Sequence, residues 1–461
     1  MKASQSALRC QSLDQASIVA EEIDGKEWNQ EFIKRRFLPE FWQQKPLFIR
    51  NAIDVASLGV DGYDLERLSQ EEDVESRVIR LIKKSAEKEY GPFEENMYEQ
   101  LRELQEIEPW TVFVQEIDRH IPIVADLWQR YFNFIPSWRR DDIMISYATK
   151  DAGIGAHCDD YDVFLIQGGG TREWSIENSY VSPNEEAERL MVNSDTKVLK
   201  DFTAHQQWIL QPGDMLYLPP RIPHRGISLD DECVTISMGF RTPALRSALT
   251  AFIHDVCQTR VGEKDLYTDP TADLNNPQNS SGLISINARR SMQAKLREIL
   301  MKSINDDQYF DGWLGSYLTI PLRMSLSAPT AFFLKDQKMK NDKNDIDYFE
   351  QEPSIAISNK DYRVASMRLF QDTENVMREF MEKKITLRRT EGVKMAYIEQ
   401  TLFIDGEIFH MGGNWGAVLC DKRVLEYGCI LQQTMNQSNA FVRFFSSLVR
   451  SGYFYPVDVD Q

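Results

Sequence analysis

The sequence predicts an α+β protein with an antiparallel β-barrel or sandwich in its middle, a helical region after it, and a mixed helix–strand C-terminal part. Three observations predict this. From Ile143 onward the chain breaks into short apolar runs separated by Gly- and Pro-containing turns, the pattern of strands joined by tight connections. After Pro243 the apolar period becomes helical, with Leu245, Leu249, Phe252, Ile253 and Val256 in one series and Met292, Leu296, Ile299, Leu300 and Ile304 in another. Near the C-terminus, Asp405-Gly406 lies between apolar runs in AYIEQTLFIDGEIFHM and reads as a hairpin turn.

The elements follow in order. Residues 1–22 read as a flexible tail. Glu31–Glu40 is a charged helical stretch expected to end near Pro39, and Pro46 precedes a strand at LFIR. Asp64–Asp73 and Glu94–Glu106 are polar and helix-prone. Strands are expected at IMISYAT (143–149), in the HCDDYDVFLIQ run, in TREWSIEN after Gly168-Gly169-Gly170, at WIL (208–210), at MLYLPP after the Pro212-Gly213 turn, and in ECVTISMGFR. The polar segment 178–204 reads as an insertion, 262–285 as a loop, and the charged stretch 335–353 as a linker. The final FVRFFSSLVRSGYFYP is an apolar helix leading into a short aromatic strand.

Composition narrows the class. The chain has 461 residues, enough for two or three domains, and a hydrophobic fraction of 42% suits a globular protein. A formal charge of -18 disfavours general attraction to nucleic acid or anionic membrane, and suits a basic protein partner. The six cysteines are scattered without a Cys-x-x-Cys pair, which argues against structural zinc and for a reduced, intracellular chain. No apolar run is long enough to cross a membrane, and the N-terminus lacks the apolar core of a secretory signal. A cytoplasmic location is expected, with an organelle address in the Ser-rich start left open.

The chemistry concentrates in His157-Cys158-Asp159 and His224. In an extended segment residues two apart face the same way, so His157 and Asp159 can share one spot while Cys158 points to the opposite side. His224, beside a second strand, can reach the same spot. Two histidines and one carboxylate on one face of a metal leave its other positions open, the arrangement of non-haem Fe(II) oxygenases. Such a site takes a chelating co-substrate, and 2-oxoglutarate then requires a basic partner for its distal carboxylate. Arg172, on the strand after the glycine turn, offers a bidentate guanidinium. Thr235 and Ser237 alternate onto one face of the strand after His224 and add hydroxyl donors. The other histidines, His120, His205, His254 and His410, have no ligand-spaced partner in the sequence.

With these residues in view, IGAHCDDYDVFLIQGGGTREW, LQPGDMLYLPPRIPHRG and TISMGFRTP resemble the JmjC-type ribosomal oxygenases, most of all their bacterial arginine-hydroxylase branch. FLPEFWQQKPLFIR, ESRVIR, YGPFEE, PSWRRDDIMIS and the terminal LVRSGYFYP match in kind and order. The resemblance implies a double-stranded β-helix (cupin/JmjC) catalytic domain over 23–243, a helical dimerisation region over 244–334, and a winged-helix domain over 354–461. It implies Fe(II), 2-oxoglutarate and O2, with His157, Asp159 and His224 on the metal, and Arg172 on 2-oxoglutarate with Ser237 as helper. Asp142, Met144 and Tyr161 fall where that branch holds a substrate arginine of large-subunit ribosomal protein sixteen. A homodimer acting on a ribosomal protein, without direct nucleic-acid or membrane binding, is the resulting expectation. Histidine hydroxylation, lysine demethylation, or a catalytically silent ribosome-associated scaffold are the alternatives.

Overall fold

The computed structural model describes residues 18–82, 85–94, 96–190, 198–262, 264–275, 282–320, 373–428 and 438–458. The expected linker 335–353 and the first 17 residues of the expected tail lie outside them. The chain divides into two units, 1–132 with 140–242, and 133–139 with 243–461.

The first unit is built on two sheets. Its strands are β1 (Glu21–Asp24), β2 (Leu47–Arg50), β3 (Ser76–Ile82), β4 (Ser85–Tyr90), β5 (Trp110–Val114) and β6 (Arg140–Ala148). They continue as β7 (Asp162–Gly169), β8 (Arg172–Ile176), β9 (Gln206–Leu210), β10 (Met215–Leu218), β11 (His224–Ser228) and β12 (Cys233–Phe240). The large sheet runs β1-β2-β10-β7-β12-β6-β5-β3-β4 and the small one β11-β8-β9. All pairings are antiparallel except β1 with β2.

Strand β7 shows why the sequence folds this way. It reads as an almost unbroken apolar run because both of its faces are covered. Val163 and Leu165 point inward and pack with Trp174, Ile176, Leu210, Leu216, Leu218 and Ile222 from both sheets. Phe164 points outward into an aromatic layer, with ring centroids 4.8 Å from Phe132, 4.8 Å from Tyr217, 5.6 Å from Phe240 and 5.7 Å from Phe37. Tyr217 donates to Asp162 at 2.6 Å, so the one outward carboxylate of β7 is satisfied under this layer.

Three sequence expectations need correction or refinement. The helix expected to stop near Pro39 starts as an α-turn at Gln30–Phe32 and continues as a π-helix over Ile33–Phe41, with Pro39 inside it. The wider turn accommodates a residue that has no N–H to give, and Trp42 N–H reaches back to Phe37 O at 2.9 Å. Residues 18–22, read as tail, are tied down: Ile18 N–H donates to Asn178 O at 2.7 Å, Ala20 N–H to Gln206 Oε1 at 2.9 Å, and Glu21 opens β1. The insertion carries a helix at Pro183–Arg189, capped by Ser182 and Glu185 in a reciprocal capping box.

The second unit begins with helices Leu245–Thr259, Ile286–Ile304 and Asp307–Thr319. Phe252 and Val256 are buried, whereas Leu245, Leu249 and Ile253 are 75%, 60% and 40% exposed and line one stripe at helical spacing. The remainder holds helices Thr373–Met381, Gly416–Asp421 and Ser438–Arg450. Its two three-stranded sheets are formed by β13 (Ile385–Arg389), β17 (Val424–Leu425) and β18 (Phe454–Asp458), and by β14 (Met395–Ile398), β15 (Thr401–Ile404) and β16 (Glu407–His410). Asp405 and Gly406 make the expected turn between β15 and β16, at φ 48° and 91°. Among the described residues no helix is long and apolar enough to cross a membrane.

Phe164 is fully buried and touches both the outer aromatic layer and the strand that carries the inner core. Phe164→Ala is expected to destabilise this unit by about 3–5 kcal/mol, read as a lowered denaturant midpoint at unchanged m-value.

Candidate metal centre

His157 does not open β7 as the sequence reading had it. The strand begins at Asp162, and His157 stands before it as a single bridge residue opposite His224. His157 N–H donates to His224 O at 3.0 Å and His224 N–H to His157 O at 2.8 Å. This reciprocal pair of hydrogen bonds sets the two ring centroids 4.2 Å apart. Asp159 follows on the same side, and its Oδ2 lies 3.6 Å from His224 Nε2. One ligand atom from each of His157, Asp159 and His224 falls within 4.8 Å of the others.

The hydrogen bonds around the rings prepare them as ligands. His157 Nδ1 is 3.2 Å from Gly155 O, and His224 Nδ1 is 2.9 Å from Ile222 O. A carbonyl can only accept, so each Nδ1 carries a proton and each Nε2 is the ring atom left to face the cluster. Burial, with His157 alongside, pushes the His224 pKa down to about 4. His224 is therefore neutral near pH 7, so its 3.6 Å approach to Asp159 is not an ion pair, and both atoms lie where they could share one ion. The donor set and its tautomers fit a divalent metal with open positions.

Behind the ligands sits a buried clasp. Arg221 adopts φ 72° and donates its N–H to Asp159 O at 2.7 Å. Its guanidinium reaches Asp160 and Glu186, each at 2.6 Å, and its Nε donates to Val181 O at 3.0 Å. The insertion helix is thereby fastened to the loop that precedes His224. Cys158 faces this side, near Glu186, and burial pushes its thiol up to about 12. It is a small buried side chain and not a ligand.

Arg172 lies on β8 opposite Ser228, and Ile176 of the same strand lies opposite His224. Four residues of strand span about 13 Å. A long arginine side chain and a five-carbon dicarboxylate can share that distance. Arg172 is 4% exposed, and its Nη2 is a buried donor without a protein partner. Burying a guanidinium donor in this way is costly unless a carboxylate completes it, so the residue fits the distal carboxylate of 2-oxoglutarate. Its Nε instead meets Cys233 Sγ at 3.3 Å. Thr235 and Ser237 share the Cys233 face of β12, but Thr235 Oγ1 is directed to Gln167 Oε1 at 3.4 Å, and Ser237 lies opposite Met144 and Leu165. Neither has a contact to Arg172 here. Cys233 and Gln167 are the neighbours that the sequence reading missed, although stepping back two residues from Thr235 along the strand would have found Cys233.

The wall opposite is made by β6, β12 and the metal loop. Asp142, Met144 and Ser146 alternate onto one face of β6, with Met144 across from Ser237. A Cβ on Gly239 would lie 3.4 Å from Asp142 Oδ1 and 3.6 Å from Tyr161 Cε2, which places those two side chains around the gap the glycine leaves. Tyr161 is held protonated, its pKa raised well above the ordinary value by Asp159 first, then burial, then Asp142 and Asp141. Asp142 and Tyr161 therefore meet across the Gly239 gap, while Met144 lies across from Ser237. Arg77 reaches the same wall from β3, its Nη2 3.5 Å from Met144 Sδ.

Comparison with known proteins agrees with this geometry. The JmjC-domain family profile matches residues 126–248. The chain is 34% identical over 227 residues to a probable ribosomal oxygenase of Haemophilus influenzae, covering 48% of this chain and about half (52%) of that protein's length. It is 30% identical over 284 residues to the ribosomal protein uL16 3-hydroxylase of Escherichia coli, covering 61% of this chain and 70% of that protein. Its fold is similar to that of the E. coli ribosomal oxygenase YcfD solved with cobalt and 2-oxoglutarate, with a TM-score of 0.64, 25% identity, and 91% and 97% of the two chains covered.

A Co(II) titration followed by visible absorption is expected to saturate with the wild-type protein, and to lose its signal in His224→Ala. His254→Ala, on an exposed helix face, should titrate like wild type. Equal binding by His224→Ala would remove His224 from the ligand set.

Proposed function

The chain belongs to the JmjC-type ribosomal oxygenase family, and on that premise we propose that it is an Fe(II)- and 2-oxoglutarate-dependent hydroxylase of an arginine in a ribosomal protein, with uL16 as the substrate of first choice. The observation that carries the arginine reading is the position of Asp142. It is a carboxylate on the inward face of β6, set across the Gly239 gap from the Tyr161 ring and close to the metal carboxylate. A guanidinium suits that place, because a carboxylate can take it bidentately while an aromatic wall flanks its plane.

Each residue then has a task. His157, Asp159 and His224 hold the metal from one side, with both imidazoles fixed as Nε2 ligands by backbone carbonyls. Arg172 anchors the distal carboxylate of the co-substrate. Asp142 holds the charged end of the substrate side chain, and Met144 and Tyr161 line its stem. Bound Fe(II), 2-oxoglutarate and O2 together supply the oxidation that places one oxygen on the substrate carbon and releases succinate and CO2. The protein contributes orientation, so that one C–H bond of the held side chain meets that chemistry. A silent scaffold would have no use for a buried guanidinium donor without a protein partner beside an intact ligand set.

The helical region is read as a homodimerisation surface. Support comes from the exposed stripe Leu245, Leu249 and Ile253, continued on the next long helix by Met292 and Leu296 at 43% and 55% exposure. A second copy of the same stripe is the occupant that closed twofold symmetry supplies. The unit containing β13–β18 is read as a winged-helix-type module that serves protein contact.

Incubating the enzyme with Fe(II), 2-oxoglutarate and uL16 is expected to add one oxygen mass to an arginine-containing peptide. Asp142→Ala should lower kcat/KM for that substrate by about 100-fold, the scale of a lost charge-assisted pair. Unchanged turnover would show that the arginine pocket lies elsewhere. Leu249→Asp should shift the solution mass, read by light scattering, from dimer to monomer.

A further inference from the structure

The polar insertion 178–204 has no task in the proposed chemistry, yet its described residues bear on the metal segment from two sides. On one side Leu199 N–H donates to Ala156 O at 2.7 Å, and Val198 fills the space beside Gly155, where a Cβ would come within 2.7 Å of Val198 Cγ1. On the other side stands Arg221. Val181 N–H donates to Arg221 O at 3.0 Å, and Arg221 Nε donates back to Val181 O at 3.0 Å. The helix Pro183–Arg189 then brings Glu186 onto the Arg221 guanidinium at 2.6 Å. Glu177, just past β8, pairs with Arg189 at 2.6 and 3.0 Å and so ties the end of that helix to the small sheet.

Arg221 passes this anchoring on to the ligands. It grips the Asp159–Asp160 pair twice, with its N–H on Asp159 O at 2.7 Å and its Nη1 on Asp160 Oδ1 at 2.6 Å. It also stands three residues before His224. Its φ of 72° is a conformation that a residue with a side chain keeps only where its surroundings over-determine it. Arg221 and Glu186 are buried, whereas the Asp160 side chain is 67% exposed. Glu186 is therefore the carboxylate that balances the guanidinium out of water.

We propose that Arg221 is a positioning residue for the metal ligand Asp159, and that Glu186, acting through Arg221, makes the insertion a determinant of metal affinity. Asp159 is held at its own carbonyl and at the next side chain, so its carboxylate stays on the side of His157 and His224. Without Glu186, the guanidinium keeps only the exposed Asp160 and one carbonyl, and the N–H that holds Asp159 is less firmly placed. This rests on the reading of His157, Asp159 and His224 as the ligand set.

The test is a Co(II) titration of the full-length protein, followed by visible absorption well below each variant's melting temperature. Glu186→Gln and Arg221→Lys should each weaken Co(II) binding by about tenfold, the scale of a lost partner behind a metal ligand. Lysine keeps the charge but cannot span two carboxylates and a carbonyl. Both variants should also move the absorption band, which a change in stability alone leaves in place. Asp160→Asn lies on the exposed side of the clasp, should weaken binding by a smaller factor, and decides the matter if the buried variants do not fold. Arg189→Met loosens the insertion at Glu177 without touching Arg221, and should lower Tm while binding Co(II) like wild type. Wild-type affinity and an unmoved band in the clasp variants overturn the proposal and leave the ligand set standing. An equal loss in Arg189→Met does the same, since it marks a general loosening. Wild-type protein that takes up no Co(II) overturns both.

Discussion

Two backbone hydrogen bonds between His157 and His224 hold the rest of the centre in register. They join a loop before β7 to the first residue of β11, and so bring together, from distant parts of the chain, two imidazoles whose planes are tilted by 58°. Everything else at the centre refers to this bridge. Asp159 takes its place because it is two residues past His157, and Arg221 fixes that segment by donating to Asp159 O. The carbonyls of Gly155 and Ile222, each two residues before its histidine, select the tautomer. A metal added to such a site meets imidazoles already oriented by their carbonyl partners, so little reorganisation accompanies binding.

Around that bridge, the period of two along the strands sorts chemistry from packing. On β7 the outward residues join an aromatic layer, and the inward residues line the core and end at Gln167. On β12 the inward row is Cys233, Thr235 and Ser237, and on β6 it is Asp142, Met144 and Ser146. The inner row is polar where ligands are expected and apolar between them. Burial of Arg172 without a carboxylate is a local cost that stacking near Trp174 and contact with Cys233 only partly offset. Sites that bind anions commonly keep such a cost in the free protein and release it on binding.

Much of this was legible in the sequence, for identifiable reasons. The strands β6, β7, β10 and β12 announced themselves by apolar runs between turns, and the helix at Leu245–Thr259 by its period. His157, Asp159 and His224 were found because ligand chemistry restricts residue type and spacing so tightly. What escaped depends on partners far away in sequence. The pairing of β1 with β2 was hidden because four residues such as EEID carry no strand pattern of their own. Pro39 signalled a helix end, but a π-helix tolerates it. Gln167 and Cys233 looked like ordinary strand residues, and only the register of β7 on β12 brings Gln167 to Cys233, which in turn meets Arg172.

Strand β12 has a consequence for how such a protein can change over time. One of its ends sets Cys233 against Arg172, and the other sets Gly239 against Asp142 and Tyr161. Between them the strand is paired on both sides, with β6 and β7, and the register shifts against β7 after Val234 and against β6 after Met238. It therefore works as a ruler with fixed marks. In the proposed assignment, substitutions at the Gly239 end alter which side chain is admitted while the Cys233 end goes on holding the same co-substrate. A one-residue insertion between the marks would turn one end's side chains to the wrong face. New specificities in this architecture are thus reached by exchanging residues along the ruler, and changes in its length are closed to it.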